Sequence, residues 1–172
     1  LNAGCEGQLA LEKRFCCHKI VELENRKIGF EVVQQGQQLR LTAEQVLAFY
    51  LKKLKRFYEL NEIYSKEICL TIPSYCSQIE RQAVLDAADI AGLKCLRVMN
   101  ESSAIALQYG FFRKEDLHAV TPRNVAFVDL GHSKTTITIA SFIQGKTKII
   151  CHRSDRNLGA RDFDWEILKL IS

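Results

Sequence analysis

The stretch from Asn124 to Phe142 constrains the fold of this chain more than any other, because it places a carboxylate beside a glycine between two strand-like segments. Residues 125–128 form a short apolar run rich in β-branched and aromatic side chains, which is typical of a buried strand. Asp129 ends that run, and Gly131 follows it. Apolar and polar residues alternate over residues 135–142, which predicts a second strand. The pattern therefore predicts a strand pair whose connecting turn carries a carboxylate.

Two interpretations of this turn are possible from its residues. Gly131 permits a tight turn, in which successive N–H groups can form an anion-binding concavity. A carboxylate such as Asp129 beside it can hold a hydrated Mg²⁺ or orient a water molecule. An ordinary hairpin with a polar turn explains the same residues. A single glycine turn favours the hairpin when taken alone, so the rest of the chain has to decide.

The overall composition excludes several classes of partner. With 172 residues, 47% hydrophobic and 26% charged, the chain is of the ordinary soluble globular kind, in one domain or two small ones. It contains no apolar run of about 18 residues, so we expect no membrane partner. The net charge is +4, and the basic cluster within residues 52–56 lies on the polar face of a predicted helix. We therefore expect no nucleic-acid partner.

The cysteines and the chain ends suggest a cytosolic fragment. The seven cysteines are an odd number, are scattered along the chain and form no Cys-x-x-Cys pair. This favours a reducing compartment, and we expect a cytoplasmic location, in the cytosol. Cys16-Cys17-His18 makes a poor metal site because no second cluster completes four ligands. The first residues lack an initiator methionine and signal-peptide features, and the last ones stop inside a predicted helix. We therefore expect a cut from a longer protein.

Local signals predict alternating strands and helices. Three short runs over 19–24, 27–34 and 37–41 predict an antiparallel meander. Capping-box patterns begin two helices, which reach about residue 60 and Gly92. The second is predicted to face inward with Ile79, Ala83, Val84, Ala87, Ile90 and Ala91. Further strands are predicted over 68–72, 95–99 and 146–151, and the last of them extends the strand pair of residues 125–142 into a second meander. A helix over 104–109 is predicted to be capped by Ser102 or Ser103 and ended by Gly110. A final helix is predicted to bury Phe163, Ile167, Leu168 and Ile171. The chain is thus predicted to be α/β in two halves.

Several segments in order resemble the nucleotide-binding domain of heat-shock chaperones of the seventy-kilodalton superfamily. They cover the chain from about Lys19 to its end. The segments are Leu70–Tyr75 (LTIPSY), Glu80–Ala83 (ERQA), Ala87–Leu93 (AADIAGL), Leu96–Gly110 (LRVMNESSAIALQYG), Phe127–Gly131 (FVDLG) and Leu158–Asp164 (LGARDFD). Each is modest alone, and their order makes the resemblance strong.

The resemblance implies an actin-like ATPase fold with two lobes built on ribonuclease-H-like sheets around ATP. Residues 1–42 then belong to the distal part of lobe I, 43–119 to its proximal part, 120–159 to proximal lobe II and 160–172 to the start of distal lobe II. The family's first phosphate hairpin lies upstream and its adenosine-binding part downstream. ATP and Mg²⁺ are therefore expected as ligands of the complete domain, and this part alone is expected to bind ATP poorly.

The resemblance also implies roles for individual residues. Asp129 matches the family's acidic residue near the attacking water and Mg²⁺, and Glu101 matches a glutamate that faces the catalytic centre. The residues that match phosphate-binding positions are Gly131, His132, Ser133 and Lys134 in the turn, with Gly159 and Ala160 at the later glycine pair. Thr136 stands where the family has a second acidic residue.

The departures from the pattern resemble the hundred-and-ten-kilodalton branch of the superfamily. They are the Gly-His-Ser turn at 131–133, Asn-Glu-Ser at 100–102 and Pro-Ser-Tyr at 73–75. That branch implies a nucleotide-exchange factor and holdase, whose partners are seventy-kilodalton chaperones and unfolded clients. The protein would then be at most a weak ATPase. The alternative is an active chaperone ATPase in protein folding. An actin-like or sugar-kinase relative is more distant, since Asn100-Glu101 and Leu158-Gly159 speak against it.

Overall fold

The chain divides into two compact units that alternate along the sequence. A computed structural model describes residues 9–10, 12–24 and 27–171. One unit comprises residues 1–70 and 77–98, and the other comprises residues 71–76 and 99–172. Both contain helices and strands, so the predicted α/β class is confirmed. The four-part division into lobes stays a prediction. Within the described residues, no helix is long and apolar enough to cross a membrane.

The first unit opens with the predicted antiparallel meander. Its strands are β1 (Lys19–Glu22), β2 (Ile28–Gln34) and β3 (Gln37–Thr42), hydrogen-bonded in the order β1-β2-β3. Gln35 and Gly36 connect β2 to β3 with φ values of 50° and 81°. Positive φ at both central residues is the geometry of a type I′ turn, one of the two common two-residue hairpin turns, and glycine adopts it without strain.

Two capped helices follow and supply the core of the first unit. They are α1 (Ala43–Glu59) and α2 (Gln78–Ile90), and both predicted capping boxes are present. Gly92 follows α2 with a φ of 70°, as predicted for a helix end. The buried core residues are all alanine or leucine: Ala48, Leu51, Ala87, Ala88, Ala91 and Leu93. The predicted inward face of α2 is confirmed at Ala87 and Ala91, which are buried, and was wrong at Ile79 and Ile90, which are 83% and 49% exposed. The helix packs through its small residues, which lets the backbones approach closely.

A further sheet has two strands. It pairs β4 (Glu67–Ile72) with β5 (Lys94–Asn100). The helix α3 (Glu101–Phe112) then begins directly after β5 with Asn100 as its N-cap, not with Ser102 or Ser103 as predicted. Ser102 is buried inside the helix and cannot serve as a cap. Gly110 lies within α3, where an added Cβ would stand 2.9 Å from Thr147 Oγ1, so close packing explains this glycine better than a helix end does.

The second unit is built on an antiparallel sheet that the sequence predicted as a second meander. Its strands are β6 (Arg123–Leu130), β7 (Thr135–Ile143) and β8 (Lys146–Asp155), in the order β6-β7-β8, and β8 runs to Asp155 instead of ending at residue 151. The last helix, α4, spans Ala160–Ile171.

Aromatic side chains fill the core between α3 and one face of this sheet. Phe142 is fully buried, and its ring centroid lies 4.9 Å from that of Tyr109 and 6.2 Å from that of Phe127. On the other sheet face, the cross-strand partners Val128 and Ile137 are 68% and 44% exposed. The prediction that α4 buries one apolar face was also wrong. The four side chains predicted to be buried are exposed: Phe163, Ile167, Leu168 and Ile171.

Truncating Phe142 should strongly destabilise the second unit. Phe142→Ala removes a fully buried ring and leaves a cavity among Tyr109 and Phe127, so we expect a cost of about 3–5 kcal/mol. Phe111→Ala is the matched control, because the Phe111 ring is 69% exposed, and it should cost less than about 1 kcal/mol. Thermal unfolding of the full-length protein measures both. Equal shifts in the two variants would contradict this assignment of the core.

Candidate functional site

The turn between β6 and β7 is closed by a hydrogen bond across its four residues. Leu130 pairs with Thr135, and the Gly131 N–H donates to the Lys134 carbonyl at 2.9 Å. A Cβ at Gly131 would lie 3.3 Å from the same oxygen, a tight contact that glycine avoids. Asp129 lies one residue before the end of β6, directly opposite Thr136. The predicted strand pair with a carboxylate at its turn is therefore present.

The start of α4 is docked on this turn through its own backbone donors. The Ala160 N–H donates to the Gly131 carbonyl at 2.9 Å, and the Arg161 N–H donates to the His132 carbonyl at 3.0 Å. These N–H groups belong to the first turn of the helix, where no intrahelical acceptor exists. The turn carbonyls therefore act as the cap of α4.

Gly159 makes this docking possible because it lies directly against the turn. A Cβ built on Gly159 would collide with the His132 carbonyl oxygen and would stand 2.7 Å from the Ser133 carbonyl carbon. The Gly159 N–H is satisfied by Asp162 Oδ2 at 2.7 Å. The Thr135 hydroxyl adds a further bond, to the Leu158 carbonyl at 2.7 Å. Only glycine fits at position 159 in this arrangement.

The six residues predicted to contact phosphate are thus brought together, but several of their donors are already used. The N–H groups of Gly131, Gly159 and Ala160 all bond to protein oxygens. Across the part of the chain that the structure describes, the N–H groups of His132 and Ser133 make no hydrogen bond. The Lys134 N–H makes none among these residues either, so the N–H groups of 132–134 are the backbone donors that the turn can offer to an anion. The binding role of all six residues stays a prediction.

Lys134 forms a close ion pair with Glu101, the first residue of α3. Lys134 Nζ lies 2.6 Å from Glu101 Oε2, and the two side chains are 20% and 33% exposed. A carboxylate is favourable in the first turn of a helix because of the partial positive charge there. The sequence indicated a site role for both residues, but their separation of 33 positions hid the contact.

A tyrosine that sequence reasoning did not assign to the site joins this ion pair. The Tyr75 ring has Lys134 Nζ at 5.6 Å and the Arg156 guanidinium carbon at 3.9 Å from its centroid. Arg156 also donates to the Tyr75 carbonyl at 3.0 Å. Burial raises the pKa of the Tyr75 hydroxyl, and the nearby charges of Lys134 and Arg156 act in the opposite direction. The Pro-Ser-Tyr motif was the only sequence signal that pointed near this residue.

The carboxylates near the turn could bind Mg²⁺ only if water and phosphate supplied most of its ligands. No group of three histidine, cysteine, aspartate or glutamate side chains is placed to hold a metal ion within residues 9–10, 12–24 and 27–171. Glu101 is engaged by Lys134. Mg²⁺ bound beside nucleotides commonly uses one or two carboxylates and several waters, so Asp129 alone meets that requirement.

Comparison with known sequences identifies the family of this chain. A profile of the Hsp70 protein family matches residues 6–172. The chain belongs to the Hsp70 protein family. It is 43% identical over 151 residues to the 97 kDa heat shock protein of Strongylocentrotus purpuratus, an alignment that covers 86% of this chain and 17% of that protein. It is 40% identical over 158 residues to heat shock 70 kDa protein 4 of Rattus norvegicus, which covers 89% of this chain and 18% of that protein.

The relatives also agree with the branch of the Hsp70 family that the turn residues indicated. Heat shock 70 kDa protein 4 of Homo sapiens is 40% identical over 158 residues. These relatives confirm the resemblance to the hundred-and-ten-kilodalton branch that the turn residues indicated. The chain spans less than a fifth of the length of these relatives.

Gly159→Ala should disrupt the junction between the turn and α4. The new Cβ meets backbone atoms of His132 and Ser133, which cannot move aside without breaking the bonds that cap the helix. We expect a loss of about 3 kcal/mol in the free energy of unfolding, the upper end of the usual cost of overpacking against rigid surroundings. Gly36→Ala is the control, since its Cβ meets open space and the change costs only the strain of a positive φ, about 1 kcal/mol. Thermal unfolding of the full-length protein distinguishes them, and a harmless Gly159→Ala would refute the close contact.

Proposed function

We propose that this chain is part of the ATP-binding domain of a hundred-and-ten-kilodalton-type chaperone with the actin-like fold. The full-length protein would act in the cytosol as a nucleotide-exchange factor for seventy-kilodalton chaperones and as a holdase for unfolded clients. Membership of the Hsp70 family supports the chaperone class. The finer role rests on the chemistry of the turn and its neighbours.

The backbone of the turn supports nucleotide binding. His132 and Ser133 restrict the backbone of the turn more than glycines at the same positions would. Their N–H groups have no protein acceptor among the described residues. Backbone donors of this kind can hold phosphate oxygens without a particular side chain. ATP binding in the complete domain is therefore compatible with the departures from the family's glycines.

The charges around the turn favour a structural use of ATP over rapid hydrolysis, and this is the observation that carries the proposal. Asp129 has Thr136 opposite it, where a second carboxylate would stand in an active ATPase of this family. Glu101 is neutralised by Lys134 at 2.6 Å. General-base catalysis needs a carboxylate free to orient and deprotonate water, and only Asp129 meets that condition at the turn.

Mg²⁺ would be held by Asp129 together with nucleotide and water. When bound, the ion supplies positive charge that draws phosphate oxygens to the site. In the proposed role ATP shifts the population of conformations toward the one that docks on the partner chaperone. The alternative function, an active chaperone ATPase, would use the same Asp129 as its central catalytic group.

The proposal predicts that the full-length protein with ATP accelerates release of ADP from a seventy-kilodalton partner. Stopped-flow measurement of fluorescent ADP release should show an increase on the order of tenfold or more, within the usual range of coupling free energies. Hydrolysis by the protein itself should be slow, because its turn lacks the second carboxylate. No acceleration, combined with steady hydrolysis that Asp129→Asn abolishes, would favour the alternative of an active ATPase.

A further inference from the structure

The strongest unassigned feature of the turn is that its one lysine is held by its neighbouring glutamate. Lys134 Nζ is 2.6 Å from Glu101 Oε2, and both side chains are largely shielded from solvent. The Tyr75 ring lies 5.6 Å from the same ammonium group and adds a weaker cation–π attraction. Lys134 thus has a defined partner before any ligand arrives.

Because of where Lys134 lies, Glu101 and a bound phosphate would compete for its ammonium group. Its carbonyl closes the turn by accepting from the Gly131 N–H, so its Cα is fixed within the same turn as the His132 and Ser133 donors. An ammonium on a four-carbon stem can change partners by rotating its side chain, whereas the backbone donors stay in place. A phosphate bound at those donors would therefore compete with Glu101 for the Lys134 charge.

We infer that the Glu101–Lys134 ion pair is a latch that weakens nucleotide binding until phosphate displaces the carboxylate from the lysine. This inference rests on the proposed nucleotide-binding function. Glu101 then sets the affinity for the phosphate part of the ligand, and Lys134 is the group through which it acts. Tyr75, with Arg156 stacked 3.9 Å from its ring centroid, supports the lysine in its latched position.

A double-mutant cycle in the full-length protein tests the latch, with ADP binding measured by calorimetry. Glu101→Gln keeps the shape of the side chain but releases Lys134, so ADP should bind about fivefold more tightly, the scale of a part-exposed ion pair. Lys134→Met should weaken binding by a similar factor. In the double variant Glu101→Gln should change the affinity less than about twofold relative to Lys134→Met, because no lysine remains to be released.

Two controls separate the latch from general effects of charge. Lys148→Met removes an exposed lysine on β8 of the same unit and should leave ADP affinity unchanged. Adenosine has no phosphate, so its affinity should be equal in the unsubstituted protein and in Glu101→Gln. A gain from Glu101→Gln that persists in full without Lys134 would show simple repulsion of phosphate and would overturn the latch.

The remaining outcomes distinguish the latch from the proposed function. Normal ADP binding with no gain from Glu101→Gln overturns the latch and leaves the nucleotide site intact. Absence of ADP binding in every variant, with thermal unfolding unchanged, overturns both. Lys134→Arg checks for misfolding, because it keeps the positive charge and should bind ADP more tightly than Lys134→Met.

Discussion

The backbone hydrogen bonds from the start of α4 to the carbonyls of the turn are the contact on which the rest of the site depends. They satisfy helix donors that would otherwise lack partners, and they hold the turn in one shape. The carbonyls of Gly131 and His132 accept from the helix, while the N–H groups of residues 132–134 make no hydrogen bond within the described part of the chain. The same bonds fix the backbone of Lys134, whose side chain then reaches Glu101.

Small residues make such close backbone contacts possible in both units. Ala87, Ala88 and Ala91 bring α2 into the core of the first unit, and Gly110 brings α3 against Thr147 in the second. Gly159 does the same where α4 meets the turn. At Gly110 and Gly159, an added methyl group would meet neighbouring atoms at less than 3 Å. The sequence therefore encodes its packing through residues whose importance their hydrophobicity does not reveal.

Local chemistry explains why the sequence predicted most elements well. A capping box needs only side chains three positions apart, and strand alternation repeats every second residue, so both are visible in a short window. Burial was predicted less well, since periodicity marks the apolar face of a helix but says nothing about what covers it. Ile79 and the apolar face of α4 show this, because they have the right spacing and remain exposed.

Motif resemblance predicted which residues would lie near the turn, but not how their charges would pair. Motif resemblance indicated Asp129, Glu101 and Lys134 separately, whereas the ion pair between the last two depends on the fold that joins α3 to the turn. Tyr75 lies 59 and 81 positions before its two cationic neighbours, so no local pattern could reveal it. Yet these contacts decide the chemistry. A carboxylate balanced by a lysine cannot serve as a free base, and a lysine balanced by a carboxylate offers its charge to phosphate only after the pair opens. In the proposed function, a turn arranged in this way holds a nucleotide and hydrolyses it only slowly.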